Sequence, residues 1–364
     1  MNEREFLKKN EDYVSTDCEK INYGGRIDFS DSKAPIFVFP GSLAQMFFKG
    51  SKLKVLIKNN HSYLDNYLGY IIDGVQKKVL LSNDHCVHEI ALADDLSEDE
   101  KHQIIIFKRQ DACHEFTFYG FIMSKDSIIC TPDKKPRRCM EFYGDSVTAG
   151  ELSEAVDYVG KPDPIHNGEY SNAWYSYAMI TARMLKAQVN VIAQGGISVM
   201  DHTGYFHEPD YIGMESAYDK IHFNPDLGKV KDWDFRKFTP HVVVIALGQN
   251  DAAPEDYMKE NPEGKKAEIW KKHYEQFVLN IRRKYPNAFI VLTTTILNHH
   301  PSWDRAIGLI CRNIDDAKIV HFLYSWNGRG TPGHVRIPEA QQMAFEIYAF
   351  IKSFGDEIWK DQVL

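Results

Sequence analysis

The chain has few cysteines, no excess of positive charge, no long apolar run and no repeat. Each of these absences excludes something. The six cysteines, Cys18, Cys86, Cys113, Cys130, Cys139 and Cys311, are scattered and never form C-x-x-C. A disulfide framework or a cysteine-based zinc ribbon is therefore not expected, and the thiols read as free. Lys and Arg together number 43 against 51 Asp and Glu, a net charge of −8. With no basic stripe, neither a nucleic acid nor an anionic membrane is an expected partner. No segment is long and apolar enough to read as a transmembrane helix. The first ten residues are charged and contain no apolar h-region, so the expected location is cytoplasmic. There are 15 histidines, but no H-E-x-x-H. His202 and His207, with Asp201, Glu208 and Asp210 nearby, and the pair His299-His300 read as loop histidines, and no metal or organic cofactor is expected. The acidic run Asp94 to Glu100 lacks the alternating ligands of a calcium loop.

What is present is ample core material: 43% hydrophobic and 13% aromatic residues over 364 positions, more than one core usually organises. Two domains are expected. Residues 1–135 read as β-structure. Short apolar runs (36–39, 53–58, 67–72, 77–81, 87–92, 103–108, 115–123) are separated by turn signals such as Pro40-Gly41 and Asp73-Gly74. That pattern predicts a sandwich or jelly roll. The Pro- and charge-rich stretch from Thr131 to Arg138 reads as a linker. From 139 to 364 strands alternate with helices. Strands are predicted at 139–143, 188–193, 241–247, 288–294 and 318–323, and helices at 173–186, 265–284, 303–317 and 338–354. Alternation of this kind predicts a parallel sheet covered on both faces.

In such sheets ligands bind beyond the carboxyl ends of the strands. The residues at those ends are Ser146 in Gly144-Asp145-Ser146, Gly196 in Gln194-Gly195-Gly196, Asn250 in Gly248-Gln249-Asn250-Asp251, and His334 ahead of the last helix. Each has an ordinary explanation alone: a helix cap, a turn, a surface histidine. Their arrival at one edge of one sheet points to acyl transfer. A serine hydroxyl is a weak nucleophile until a base takes its proton, and His334 has the pKa range for that base. The N–H groups of Ser146 and Gly196 and the amide of Asn250 are three candidate donors to an oxyanion.

These four blocks resemble the SGNH (GDSL-like) hydrolase superfamily. The N-terminal stretches Phe39-Pro40-Gly41-Ser42, Tyr70-Ile71-Ile72-Asp73-Gly74, Lys108-Arg109-x-x-Ala112 and Phe118-x-Gly120-Phe121 look like the jelly roll of the second carbohydrate-esterase family. The resemblance implies an N-terminal β-sandwich (jelly roll) and a C-terminal flavodoxin-like three-layer α/β/α domain. It implies a serine esterase that removes O-acetyl groups from plant-polysaccharide sugars, such as acetylated xylo- or manno-oligosaccharides, with no cofactor. One departure stands out. The superfamily commonly carries an Asp two or three residues before its catalytic His, and here those positions hold Pro332 and Thr331. A Ser146–His334 dyad is therefore expected, with a backbone carbonyl of the Asn327–Gly333 loop holding the imidazole. Trp303, Trp326, Tyr205 and His299 are candidate sugar contacts. Two other readings stay open: a carbohydrate-binding protein on a hydrolase fold, and an acetyltransferase using the same acyl-enzyme. No amphipathic lid that would favour a lipase is visible.

Overall fold

The computed structural model describes residues 5–360. Up to Cys130 the chain builds two six-stranded sheets. One runs Ile27–Asp28, Ile36–Phe37, His114–Ser124, Leu53–His61, Val87–Ala93, with Glu11–Val14 also on His114–Ser124. The other runs Ile128–Cys130, Leu43–Lys49, His102–Lys108, Tyr67–Ile72, Val75–Leu80, with Asn22–Gly24 on Leu43–Lys49. All pairings are antiparallel. Side chains that alternate along each strand leave one face apolar, and the two apolar faces close on Phe37, Met46, Phe48, Ile104, Phe116 and Phe121. This is a β-sandwich.

The second part is a five-stranded parallel sheet in the order Ala187–Ala193, Arg138–Gly144, Val242–Ala246, Phe289–Thr293, Ile319–His321. In chain order that is 2-1-3-4-5, the flavodoxin-like arrangement. The central strand Val242–Ala246 is buried at every position, as a strand covered on both faces must be. Helices Lys265–Lys284 and Ser302–Ile314 cover one face. Tyr177–Met184 and Ile337–Lys352 cover the other. The last helix, read as 338–354, runs Ile337–Lys352, and two others differ further from the sequence reading. The segment 173–186 is split at Ser176, whose hydroxyl accepts from Met179 N–H and starts a new helix at Tyr177. The helix read as 303–317 starts at Ser302 and stops before Asp315, which takes a left-handed conformation (φ 51°).

The two parts are joined by buried polar contacts. Arg26 of the sandwich is fully buried and lies 3.4 Å from Glu141 of the strand leading to Ser146. It also donates to the carbonyls of Tyr218 (2.7 Å) and Lys220 (3.0 Å). Glu141 accepts in turn from Tyr143 (2.5 Å), Tyr285 (2.8 Å) and Asn190 (2.9 Å). A buried ion pair is tolerable when most of its remaining polar atoms are bonded like this; of the guanidinium nitrogens, Arg26 Nε is left without a hydrogen-bond partner among the described residues.

Candidate active site

Ser146 opens a one-turn helix, Ser146–Ala149, directly after the strand that ends at Gly144. The turn is tight. A Cβ on Gly144 would lie 2.0 Å from Thr148 Oγ1, so glycine is required there. Asp145 caps the helix, accepting from Val147 N–H at 3.0 Å. It is buried, and its other oxygen accepts from Gln249 Nε2 at 2.5 Å. Burial pushes the Asp145 carboxyl up to about 6, against the pull of Gln249, Val147 N–H and the nearby His334.

His334 lies on the segment entering helix Ile337–Lys352. Its Nδ1 donates to Asp163 Oδ2 at 2.6 Å. Asp163 Oδ1 accepts from the backbone N–H of His334 (2.8 Å) and from Nη2 of the fully buried Arg336 (2.6 Å). Burial alone would raise the Asp163 carboxyl. The hydrogen bond and charge of His334, together with Arg336, hold it well below the usual range. The dyad expectation is therefore corrected: a carboxylate, not a backbone carbonyl, holds the imidazole. It comes from the loop Gly160-Lys161-Pro162-Asp163-Pro164, 171 residues away in sequence. The other ring nitrogen, Nε2, lies 3.7 Å from Glu151 Oε2. Among the described residues no hydrogen bond joins Ser146 Oγ to His334.

Behind these groups sits a carboxyl pair that sequence reasoning missed. Asp111 reaches in from the sandwich, and its Oδ2 accepts from Gly195 N–H (2.7 Å) and Gln194 Nε2 (2.6 Å). Glu151 packs against Gly195 and its N–H donates to the Ser146 carbonyl at 3.0 Å. Burial and then the Asp111 charge push the Glu151 carboxyl well above the usual range. Burial would raise Asp111 too, but its hydrogen bond with Glu151, the charge of His114, a hydrogen bond from the Cys113 thiol and the Lys108 charge hold it down. The two shifts are opposite, so Glu151 is the member of the pair that takes up a proton more readily.

Gly196 takes φ 70°, and a Cβ there would meet Tyr205 Cβ at 2.8 Å. Its carbonyl accepts from Tyr205 N–H at 2.9 Å. Among the described residues neither the Ser146 nor the Gly196 N–H donates to a protein acceptor, so both are available to an oxyanion. Asn250 Nδ2 donates to the Ile197 carbonyl at 3.0 Å and to Asp145 Oδ2 at 3.4 Å, so both of its amide hydrogens have protein acceptors. The adjacent Asp251 is fully buried and accepts from the N–H groups of Val199 (2.9 Å) and Met200 (3.2 Å), fixing the segment after Gly196.

Two of the four candidate sugar contacts are corrected. Trp303 is fully buried on the inward face of helix Ser302–Ile314, beside Trp270, and its indole N–H donates to Asp256 at 3.0 Å. His299 is 2% exposed, donates through Nδ1 to the Leu297 carbonyl and lies 3.1 Å from Asp304. Tyr205 and Trp326 are 67% and 62% exposed, and both rings are open to a ligand.

Asp111, Cys113 and His114 have ligand atoms within 4.8 Å of one another. They do not suit a cation. The Lys108 ammonium is buried beside them, donating to the carbonyls of Gln110 (2.9 Å) and Asp111, and the Asp111 carboxylate is occupied by Gly195 and Gln194.

The family model of the carbohydrate esterase 2 N-terminal domain matches residues 23–132. A solved family two carbohydrate esterase from Clostridium thermocellum, in complex with cellohexaose, superposes with a TM-score of 0.76 at 27% identity. That match covers 93% of this chain and all of that one. The chain resembles the family two carbohydrate esterases. The resemblance spans both parts, since the family-model match covers most of the sandwich and the structural match continues through the parallel sheet. The cellulase/esterase CelE of Acetivibrio thermocellus is 29% identical over 92% of this chain, which spans 39% of that relative's length. An acetylxylan esterase/glucomannan deacetylase of Cellvibrio japonicus is 25% identical over 82% of this chain and 77% of its own. The stretch that matches the family two model includes Asp111, so the family-like sandwich contributes directly to the site.

Proposed function

We propose that the chain is a serine esterase that removes O-acetyl groups from plant-polysaccharide-derived sugars, acetylated xylo- or manno-oligosaccharides. Ser146 Oγ attacks the acetyl carbonyl carbon while His334 Nε2 takes its proton. Asp163 fixes Nδ1 as the protonated nitrogen, which leaves Nε2 as the base, and it stabilises the imidazolium that forms. The tetrahedral oxyanion accepts from Ser146 N–H and Gly196 N–H, and from the Asn250 amide once this exchanges its 3.4 Å bond to Asp145 for the oxyanion. The C–O bond to the sugar breaks, His334 returns the proton to the sugar oxygen, and acetyl-Ser146 remains. Water then attacks with the same base and releases acetate. The exposed Tyr205, against Gly196, is a surface for the sugar ring.

The observation that carries this reading is the 2.6 Å contact of His334 Nδ1 with Asp163, at the sheet edge where Ser146 begins its helix. The names of the Cellvibrio relative and of the Clostridium structure support the same chemistry. The test is acetate release from acetylated xylo- and manno-oligosaccharides and from a small aryl acetate. Ser146→Ala is expected to abolish release on all of them with its circular dichroism unchanged, and a chelator should have no effect. A folded Ser146→Ala protein with near-normal activity ends the proposal.

A further inference from the structure

Away from Ser146 the molecule holds a second cleft, of about 560 Å³. One wall is a face of helix Ser302–Ile314, and the other is the segment from His321 to Arg329. Three guanidinium groups line it. Arg305 and Arg312 stand seven residues apart on the helix, about 10 Å along its axis. Arg329 comes from the opposite wall. All three are exposed, and none is in an ion pair among the described residues. Arg305 has one side-chain partner, Ser302 Oγ at 2.7 Å. Between the two helix arginines is Gly308, where a Cβ would come within 2.9 Å of His321 Nδ1.

The acids nearby are engaged elsewhere. Asp304 lines the cleft, but its Oδ1 accepts from Thr294 (2.6 Å) and Asn327 (2.9 Å), and His299 lies beside it. Glu346 accepts from Ser325 N–H and Oγ, and Asp316 pairs with Arg282. In the cleft wall His321 Nε2 is buried with no hydrogen-bond partner. Three guanidinium groups against the single lining carboxylate of Asp304, on a chain of net charge −8, leave a localised positive site.

We infer that this cleft binds the carboxylate of a uronate residue on the acetylated oligosaccharide. The inference rests on the esterase reading above and narrows its substrate class. A planar guanidinium matches a carboxylate in two parallel hydrogen bonds, which a neutral sugar cannot offer. The Leu323–Arg329 wall of the cleft follows the carboxyl end of strand Ile319–His321, as Ser146 follows that of Arg138–Gly144 in the same parallel sheet. Arg329 is five residues before His334, so the chain holds them within about 18 Å. The same loop carries the exposed Trp326, an apolar platform for a sugar ring next to the charged pocket.

The test compares acetylated xylo-oligosaccharides with and without a glucuronate side chain. The wild-type KM is expected to be about five- to tenfold lower for the uronate-bearing substrate, the scale of a solvent-facing charged contact. That preference should shrink in high salt. It should vanish in Arg305→Gln/Arg312→Gln/Arg329→Gln, which should hydrolyse a small aryl acetate at the wild-type rate. Equal wild-type KM values, or a preference that survives the triple substitution, would overturn the inference. So would competition by free glucuronate near the oligosaccharide's KM, which would assign the cleft to the free acid. Calorimetric binding of both oligosaccharides to Ser146→Ala repeats the comparison without turnover. If no acetyl ester is cleaved by the wild type, the esterase reading falls. Tighter binding of the uronate form would still support the cleft, and equal binding would remove it.

Discussion

Replacing Asp163 with Asn tests the geometry around His334 most directly. The substitution keeps the shape of the side chain and removes its charge. Oδ1 is held by two donors, His334 N–H and Arg336 Nη2, so the amide oxygen should stay there. The amide NH₂ then faces Nδ1 and can only donate. Nδ1 becomes the acceptor, the proton moves to Nε2, and the base toward Ser146 is lost. Electrostatics add to this. A unit charge about 4 Å from an imidazolium contributes roughly 1 to 4 kcal/mol between the water-like and protein-surface limits. Asp163 is 30% exposed and shares its charge with Arg336, which places the effect in the lower part of that range. With about 1.4 kcal/mol per decade of rate, the charge accounts for ten- to a hundredfold. The tautomer penalty brings Asp163→Asn to about 10²–10³-fold in kcat, short of the 10⁴ known for a fully buried triad Asp. Asp163→Ala, which admits water to Nδ1, should lose less than Asp163→Asn. KM should hold in both. The assay is steady-state acetate release on a saturable oligosaccharide. An Asp163→Asn enzyme within about threefold of wild type, with His334→Ala inactive, would restore the two-residue mechanism and refute the argument.

Three further outcomes follow from the same geometry. Asn250→Ala should lower kcat by about 10²–10³-fold, the usual loss for one oxyanion donor, and a change confined to KM would make Asn250 a sugar-binding residue instead. Glu151→Gln should stay within a few-fold of wild type at neutral pH, because burial and Asp111 push the carboxyl well above the usual range, toward its neutral form; a loss as deep as that of His334→Ala would show that Glu151 acts as an ionised group. His222 bridges Asp28 and Glu115 of the sandwich at 3.0 Å each, and although burial alone would lower it, these partners raise its pKa to about 9. A raised histidine contributes fully below its ordinary value near 6.5 and loses that contribution as pH rises through 9. Stability from denaturant melts should therefore fall over that window by at most about 3 kcal/mol, less after solvent screening, and His222→Gln should flatten the profile.

The strand-end rule locates Ser146, Gly196, Asn250 and His334 because each follows or precedes an element whose periodicity is plain in sequence. Asp163 has no such signal. It stands between two prolines in an aperiodic loop, and its contact with His334 spans 171 residues. Asp111 is hidden for a different reason: it belongs to the other part, and within Lys108-Arg109-x-x-Ala112 it is one of the unspecified positions. Trp303 reads as a sugar contact because it stands at the first turn of a helix that starts at the catalytic edge; the face of that turn is set by packing, and its ring turns to the core beside Trp270. His299 reads as a free loop histidine because Asp304 and Asn327, which enclose it, come from a helix and a later loop.

The position of Asp111 leads to a last prediction. If the sandwich were an appendage, residues 139–364 alone would be soluble and active. The contacts argue otherwise on two independent counts. Removing Arg26 leaves Glu141 as a buried carboxylate whose remaining partners are neutral, and breaking a buried pair in this way costs about 3–5 kcal/mol. It also uncovers Trp233 and Phe223, which pack against Arg26 and Phe39. Removing Asp111 takes the acceptor from Gly195 N–H and the Gln194 amide, so the turn that carries Gly196, the proposed oxyanion donor, loses its anchor. The fragment should be poorly soluble and, where refolded, inactive. Full-length Asp111→Ala separates the two effects, since it keeps Arg26 in place. It should melt as a folded protein yet lose at least about tenfold in kcat, while Arg26→Ala should lower stability first. A soluble 139–364 fragment with full activity, or an Asp111→Ala protein with unchanged kcat, would show that the parallel-sheet part completes its site without the sandwich.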